Sequence, residues 1–77
     1  MDYEQAQVAL HNHELTEAVV MPAEDANGWI ILLTASNGER HLFTGHTGTE
    51  KVYHTLDRAS EVAREVGFEK VRVEEAF

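Results

Sequence analysis

The strongest folding signal in the sequence is the segment WIILLTASNGERHLFT, in which two apolar runs flank Asn37 and Gly38. An Asn-Gly pair tolerates positive φ angles at both central positions of a type I′ turn, which closes a tight β-hairpin. We therefore predict a hairpin with a two-residue loop and strands over about 28–36 and 39–44. This signal restricts the fold more than any other part of the chain does.

A two-residue loop sets the register of the hairpin, in which Leu33 faces Leu42 and Thr34 faces His41. Both faces of the hairpin are then apolar. One carries Ile30, Leu32 and Phe43, and the other carries Trp29, Ile31, Leu33 and Leu42. Because a sheet that is apolar on both sides needs two covers, we expect the second helix on one face and the first helix, or a second copy of the chain, on the other.

Caps and periodicity predict the remaining elements. A capping-box pattern at Asp2 and Gln5 begins a helix over about 3–13, and Thr55 begins a helix over about 56–66 that stops at Gly67. Further strands are predicted over about 17–23, 52–54 and 69–75. The first of these is predicted to be an edge strand, because Pro22 cannot donate to a ladder. The fold class is therefore α+β, a single small two-layer domain over residues 1–77 with an antiparallel sheet of three to five strands in the order α-β-β-β-(β)-α-β.

The charge is strongly acidic and unevenly distributed. The 77 residues include 14 Asp and Glu against 6 Lys and Arg, for a net charge of −8, and residues 1–28 contain no Lys or Arg. This sign disfavours binding to phosphates by charge alone. The 43% of apolar residues excludes a disordered acidic tail. The N-terminal helix instead offers a candidate acidic docking surface for a basic partner, formed by Asp2, Glu4, Glu14 and Glu17.

Catalytic and metal-binding patterns are weak. His11 and His13 are two positions apart and diverge on a helix, so no metal site and no cofactor are predicted. Ser36 and Ser60 lack a nucleophile-elbow context, and GHTGTEK lacks the spacing of a phosphate-binding loop. We predict that the protein is not an enzyme. The cysteine-free composition, with no leader or membrane-spanning pattern, predicts a cytoplasmic protein.

Part of the chain resembles the integrase arm-binding and AP2-like DNA-binding domains, which consist of three strands and a helix. The resemblance rests on a strand opening with Gly28 and Trp29, the Asn-Gly turn, a more basic partner strand, and the helix start TLDRA. It implies a sheet laid in the major groove of DNA. The contacts that it implies are Arg40, His41, Lys51 and His54.

The stretch from Ala9 to Phe77 is also similar to small bacterial proteins of plasmids and integrative elements. The similarity rests on the layout LHNHELTEAVV, GWIILL and YHTLDRASEVAREVGFEKVRVEE. It implies an accessory role on a mobile element and assigns no functional residue.

Taken together, these patterns predict a non-enzymatic accessory or regulatory protein that acts through protein contacts, as a homodimer or with another protein. DNA binding through the hairpin is the alternative, and neither a membrane nor a small-molecule substrate is expected. An unpaired strand edge is the expected dimer contact. The candidate edge residues are Val19, Val20, Met21, Val71 and Val73.

Overall fold

A computed structural model describes residues 1–24 and 27–75. Over these residues two helices and a four-stranded sheet form a small α+β domain, which confirms the predicted fold class. In chain order the elements are α1 (Tyr3–His11), β1 (Leu15–Pro22), β2 (Trp29–Ala35), β3 (Arg40–Leu42), α2 (Leu56–Val66) and β4 (Val71–Val73).

The sheet has the strand order β3-β2-β1-β4 and is mixed, so the prediction of a wholly antiparallel sheet is wrong although the strand count fits. β2 is antiparallel to both β1 and β3, whereas β4 is parallel to β1. The parallel pairing arises because α2 carries the chain from one sheet edge to the other, and a crossover helix allows the returning strand to run parallel. The prediction that β1 is an edge strand is wrong, because β1 pairs on both sides. Pro22 is tolerated there as its last residue.

The hairpin loop has three residues, so the two-residue prediction is wrong. The Gly38 amide donates to the Ala35 carbonyl (2.9 Å), and the Ala35 amide donates to the Glu39 carbonyl (2.7 Å). Gly38 has a φ of +93°, as expected for a type I turn that ends in a left-handed glycine. Leu42 consequently pairs with Leu32 and His41 with Leu33.

This shift of one residue exchanges the two faces of β3. Phe43, which we predicted beside Leu32, instead lies beside Ile31, and its amide donates to the Ile31 carbonyl (2.9 Å). Phe43 is 1% exposed, whereas Leu42 is only half-buried. The turn geometry therefore decides which apolar side chain of this strand enters the core.

Both helices pack on the same face of the sheet, and the prediction of one helix on each face is wrong. α1 contacts β1 and α2, while α2 contacts β1, β2 and β4. The small side chains of Ala6 and Ala9 are buried in α1 and allow it to lie close to its neighbours. The shared core contains Ala6, Ala9, Leu15, Ala18, Val20, Ile31, Leu33, Phe43, Tyr53, Ala59, Val62, Ala63, Val66 and Phe68.

The predicted helix starts are present. Asp2 Oδ1 accepts from the Gln5 amide and Gln5 Oε1 accepts from the Asp2 amide, both at 2.9 Å. Thr55 Oγ1 accepts from the Arg58 amide at 3.1 Å. α2 ends at Gly67 in a Schellman motif, with the Phe68 amide donating to Ala63 at 3.4 Å.

α1 ends at His11, two residues before the predicted end, and its Schellman motif uses a histidine. The Glu14 amide donates to Ala9 (2.9 Å) and the His13 amide donates to Leu10 (3.1 Å). His13 has a φ of +60°, which makes it the non-glycine residue with a positive φ in the described chain. A left-handed residue at this position costs free energy that glycine does not. The sequence pattern missed this stop because glycine is the usual residue there.

Replacing His13 with glycine is therefore expected to stabilise the protein by about 0.5–1 kcal/mol, since glycine adopts the left-handed conformation without strain. Urea unfolding of the two proteins measures the change. His11→Gly is the matched control, because it puts the same residue in the last turn of the helix and should destabilise by about 0.3–0.5 kcal/mol. A loss of stability in His13→Gly would contradict the assigned helix end.

The predicted strand over 52–54 is reduced to one bridge, between Tyr53 and Trp29. The two residues exchange backbone hydrogen bonds of 2.8 Å in both directions. Tyr53 thus continues the β3 edge along β2 after the chain has looped out over residues 44–52. The bridge holds Lys51 and Val52 beside the start of β2, where both side chains line a groove on one face of the sheet.

Candidate interaction surface

One face of the sheet is covered by neither helix, and we call it the uncovered face. Strand pairing aligns its side chains across the sheet: Val19 with Leu32, Met21 with Ile30, and Leu32 with Leu42. Glu17, Thr34 and Arg40 continue the same face toward the hairpin turn, and Arg72 lies on it from β4. The face therefore combines a charged region with an apolar one.

An ion-pair network crosses the charged region. The Arg72 guanidinium lies 3.0 Å from Glu17 and 3.5 Å from Glu74, and the Arg40 guanidinium lies 3.5 Å from the same Glu74 carboxylate. Because Arg40 is on β3 and Glu74 follows β4, this last contact reaches across β2 and β1 from one sheet edge to the other. Val19 is 0% exposed although it is outside the helix-covered core. Val19 lies between Leu32 of β2 and Arg72 of β4, which flank it on the two neighbouring strands.

The rest of the uncovered face is an open apolar groove with a volume of about 400 Å³. Met21, Ile30, Leu32 and Leu42 form its floor and are only half-buried. Val52, which is 40% exposed, forms one wall. The groove is also lined by Pro22, Ala23, Glu24 and Lys51. We call this region the apolar groove.

The uncovered face is electrically neutral. Its acidic residues are Glu17, Glu24 and Glu74, and its basic residues are Arg40, Lys51 and Arg72. This balance is that of the described residues, and the other described residues include ten acidic and three basic side chains, for a net charge of −7. The protein therefore has a neutral, partly apolar side and a strongly acidic side that includes both helices.

The residues predicted to contact nucleic acid lie in different places. Arg40 and Lys51 are on the uncovered face, where Arg40 is already paired with Glu74. His41 points to the opposite side, beside Leu33, with its Nε2 atom 3.8 Å from Glu39. His54 is exposed in the segment before α2. Two of the four residues therefore share a surface.

Three of the four predicted acidic residues lie together. Asp2, Glu4 and Glu14 line a groove of about 550 Å³ along α1, which also contains Val8, an apolar side chain that is 57% exposed. Glu17 lies on the other side of the sheet and pairs with Arg72 at 3.0 Å. Asp2 is also the helix cap. The acidic surface thus consists of Asp2, Glu4 and Glu14.

The predicted edge residues are divided between two strands with different positions. Val71 and Val73 belong to β4, which is an edge strand of three residues. Val19, Val20 and Met21 belong to β1, whose backbone is paired with β2 and, as far as Val20, with β4. Val19 and Val20 are fully buried, so they offer no edge to another chain.

The histidines and hydroxyl groups do not converge on a reactive centre. Within residues 1–24 and 27–75 no three His, Asp or Glu side chains are grouped closely enough to hold a metal ion. His46 instead stacks on the Tyr3 ring, with centroids 4.1 Å apart. Burial raises the pKa of Tyr53 to about 12, and its Oη atom has no hydrogen-bond partner among the described residues. The phenol is therefore neutral near pH 7 and serves as a core side chain.

Comparisons with protein-family models, curated proteins and solved structures find no match to this chain. The resemblances to mobile-element proteins and to sheet-plus-helix DNA-binding domains therefore stay predictions. Among the described residues, neither helix has the length and apolar character needed to cross a bilayer.

Sequence reasoning missed the apolar groove as a site, although part of the signal was present. The hairpin was correctly expected to be apolar on both faces, but the second face was expected to be covered by the first helix or by a second copy of the chain, and the first helix does not cover it. No sequence pattern predicted that Val52 would lie beside the start of β2, because only the Trp29–Tyr53 bridge brings it there. The groove follows from both helices packing on one side.

Proposed function

We propose that this chain is a non-enzymatic protein-interaction module that binds a protein surface through its uncovered face. The observation that carries the proposal is the open floor of the apolar groove, formed by Met21, Ile30, Leu32 and Leu42. Contiguous apolar side chains on a small domain mark contact sites, because leaving them in water costs about 25 cal/mol per Å². Isolated exposed apolar residues would not support this conclusion.

The shape and chemistry of the groove fit a macromolecule better than a substrate. Its lining is open along one face of the sheet, whereas small-molecule sites surround most of the ligand surface. Its polar side chains, Lys51 and Glu24, lie at the rim of an apolar centre, an arrangement typical of protein interfaces. The cysteine-free composition fits a reducing cytoplasm. The resemblance to plasmid and integrative-element proteins supports an accessory or regulatory role on a mobile element.

DNA binding through the sheet is the alternative, and the charges of the uncovered face favour it less. Each phosphate contact requires a cation that is free to replace counterions. Arg40 and Arg72 are both engaged with carboxylates of the same face. Three acidic residues balance its three basic ones, so the face has no net attraction for a phosphate backbone.

A photo-crosslinking experiment tests the proposed function. A photoreactive amino acid in place of Val52, on the wall of the apolar groove, is expected to give a covalent adduct with a protein in cells. Leu42→Lys should abolish the adduct, because it puts a charge on the groove floor. Val8→Lys, on the far side of the molecule, is the matched control and should preserve it. Failure to form any adduct, or an adduct that persists in Leu42→Lys, would contradict the proposal.

The DNA alternative is tested with fluorescence anisotropy on a labelled duplex of about 20 base pairs at low salt. We expect no binding. Affinity that falls steeply with salt, and that disappears in Arg40→Ala or Lys51→Ala, would instead establish the sheet as a DNA-binding surface. The crosslinking and anisotropy results together separate the two functions.

A further inference from the structure

We infer that the occupant of the uncovered face is a second copy of this chain, so that two sheets pack face to face in a symmetric dimer with the helices outside. This inference rests on the proposed function and specifies its partner. The sequence left two dimer contacts open, a second copy over one sheet face and a strand edge. The inference selects the first, in which the side chains of the sheet, rather than the backbone of a strand edge, form the interface.

Charge is the first argument for a second copy. Two chains of −8 repel each other, and contact through the helix sides would bring the acidic surfaces together. The uncovered face carries three residues of each sign, so two such faces can meet without net repulsion. The acidic sides then point away from each other across two molecules, whose smallest extent is 18 Å. This separation exceeds the Debye length of about 8 Å at physiological salt.

The same charges disfavour other classes of partner. A basic protein or peptide would be drawn to the acidic side, where Asp2, Glu4 and Glu14 lie. A nucleic acid would require a positive face. The face matches a surface that is apolar at its centre and carries both signs at its margin, and its own copy has those properties. In a two-fold arrangement the same patch meets itself, so this self-complementarity is the requirement for a stable pair.

The available area is the second argument. The principal extents of the molecule are 33, 26 and 18 Å. A side bounded by the two larger extents has a projected area on the order of 800 Å², which is what each partner contributes to an interface of standard size. Two sheets that pack with their apolar side chains interdigitated form a common sandwich arrangement.

The strand edges offer a much smaller contact surface than the uncovered face does. β3 and β4, the two edge strands of the described sheet, have three residues each. Pairing of such short edges would add a few backbone hydrogen bonds and would leave the apolar groove open to water. A face-to-face dimer buries Leu32 and Leu42 and also excludes water from the ion-pair network beside them. The face is therefore favoured over the edge.

Sedimentation of the full chain over a concentration series tests the inference. At about 100 μM the mass is expected to be twice the 8.7 kDa of the chain, with a reversible shift to the monomer on dilution. Leu32→Lys is expected to weaken self-association by at least about 100-fold, because a symmetric interface contains the substitution twice and buries both charges. Leu42→Lys should act in the same direction.

Two control variants locate the contact. Val8→Lys changes the acidic side, and Val73→Lys changes a 43% exposed side chain on the β4 edge; both should leave the dimer intact. Circular dichroism and thermal melting establish that each variant is folded, which the partial exposure of Leu32 and Leu42 should allow.

Each remaining outcome has a definite meaning. A chain that stays monomeric at about 100 μM overturns the dimer. A dimer that is lost in Val73→Lys and kept in Leu32→Lys overturns the face in favour of the edge. A monomer whose Val52 probe still forms a Leu42-dependent adduct with a different protein overturns self-association but leaves the proposed function standing. If neither a dimer nor an adduct forms, both the inferred dimer and the proposed function are contradicted.

Discussion

Phe43→Ala is expected to lower the free energy of unfolding by about 3–5 kcal/mol, the range for removing a buried aromatic side chain. Phe43 is 1% exposed and is one of the largest fully buried side chains. It lies beside Ile31 in the shared core. For a small domain whose total stability is about 5–15 kcal/mol, such a loss approaches complete unfolding. Urea denaturation monitored by circular dichroism measures it, and Phe43→Leu gives a milder variant if Phe43→Ala does not fold.

Leu42→Ala is the matched control, because Leu42 is adjacent in sequence but lies on the uncovered face. Its side chain is half-buried, so we expect a loss of about 1 kcal/mol. The comparison is made near 1 μM, where association contributes little. If Leu42→Ala were the more damaging substitution, the hairpin register would be the one that a two-residue loop sets, and the three-residue loop would be wrong.

Gly28→Ala is expected to destabilise the protein by about 2–4 kcal/mol, because the backbone there is both strained and crowded. Gly28 has a φ of +155°, and an added Cβ atom would lie 2.6 Å from the Tyr53 carbonyl oxygen and 2.5 Å from Val52 Cγ1. The carbonyl is already held by the Trp29 amide at 2.8 Å and cannot move without loss of that bond. Thermal unfolding measures the effect.

Gly48→Ala separates the two causes. Gly48 also has a positive φ, +80°, but no atom lies within 4 Å of the position of an added Cβ. We expect a cost of about 1 kcal/mol, which is that of the left-handed backbone alone. If Gly28→Ala and Gly48→Ala lower the free energy of unfolding equally, the close contact between the Tyr53 segment and Gly28 does not contribute to the cost of the substitution.

Local signals predicted the local structure. The capping box at Asp2, the cap at Thr55 and the stop at Gly67 each depend on residues within one helical turn, and all three are present. The Asn-Gly pair correctly placed the hairpin but not its loop length, since an Asn-Gly sequence fits two turn types that differ by one residue. That single residue decided whether Phe43 or Leu42 entered the core.

Features that depend on distant parts of the chain were not predictable from these patterns. β1 was expected at an edge because Pro22 cannot donate to a ladder, but β4, which follows it by about fifty residues, pairs with it through Ala18–Val20. The amphipathic pattern of a helix says which of its sides is buried, not which face of the sheet it covers. The apolar groove exists because both helices cover the same face of the sheet. The sequence therefore indicated a sheet that is apolar on both faces without showing which face the helices leave uncovered.

The pairing of β4 with β1 decides whether one edge of β1 is available for β-sheet pairing with other chains. β4 is the last element of the described residues, and it pairs with the β1 segment that contains Val19 and Val20. Until the three residues of β4 pair with β1, during synthesis or after partial unfolding, one edge of β1 has backbone groups without hydrogen-bond partners beside β-branched side chains. Such a segment is a template for intermolecular strand pairing and aggregation. A strand of only three residues thus protects the edge of the eight-residue strand β1.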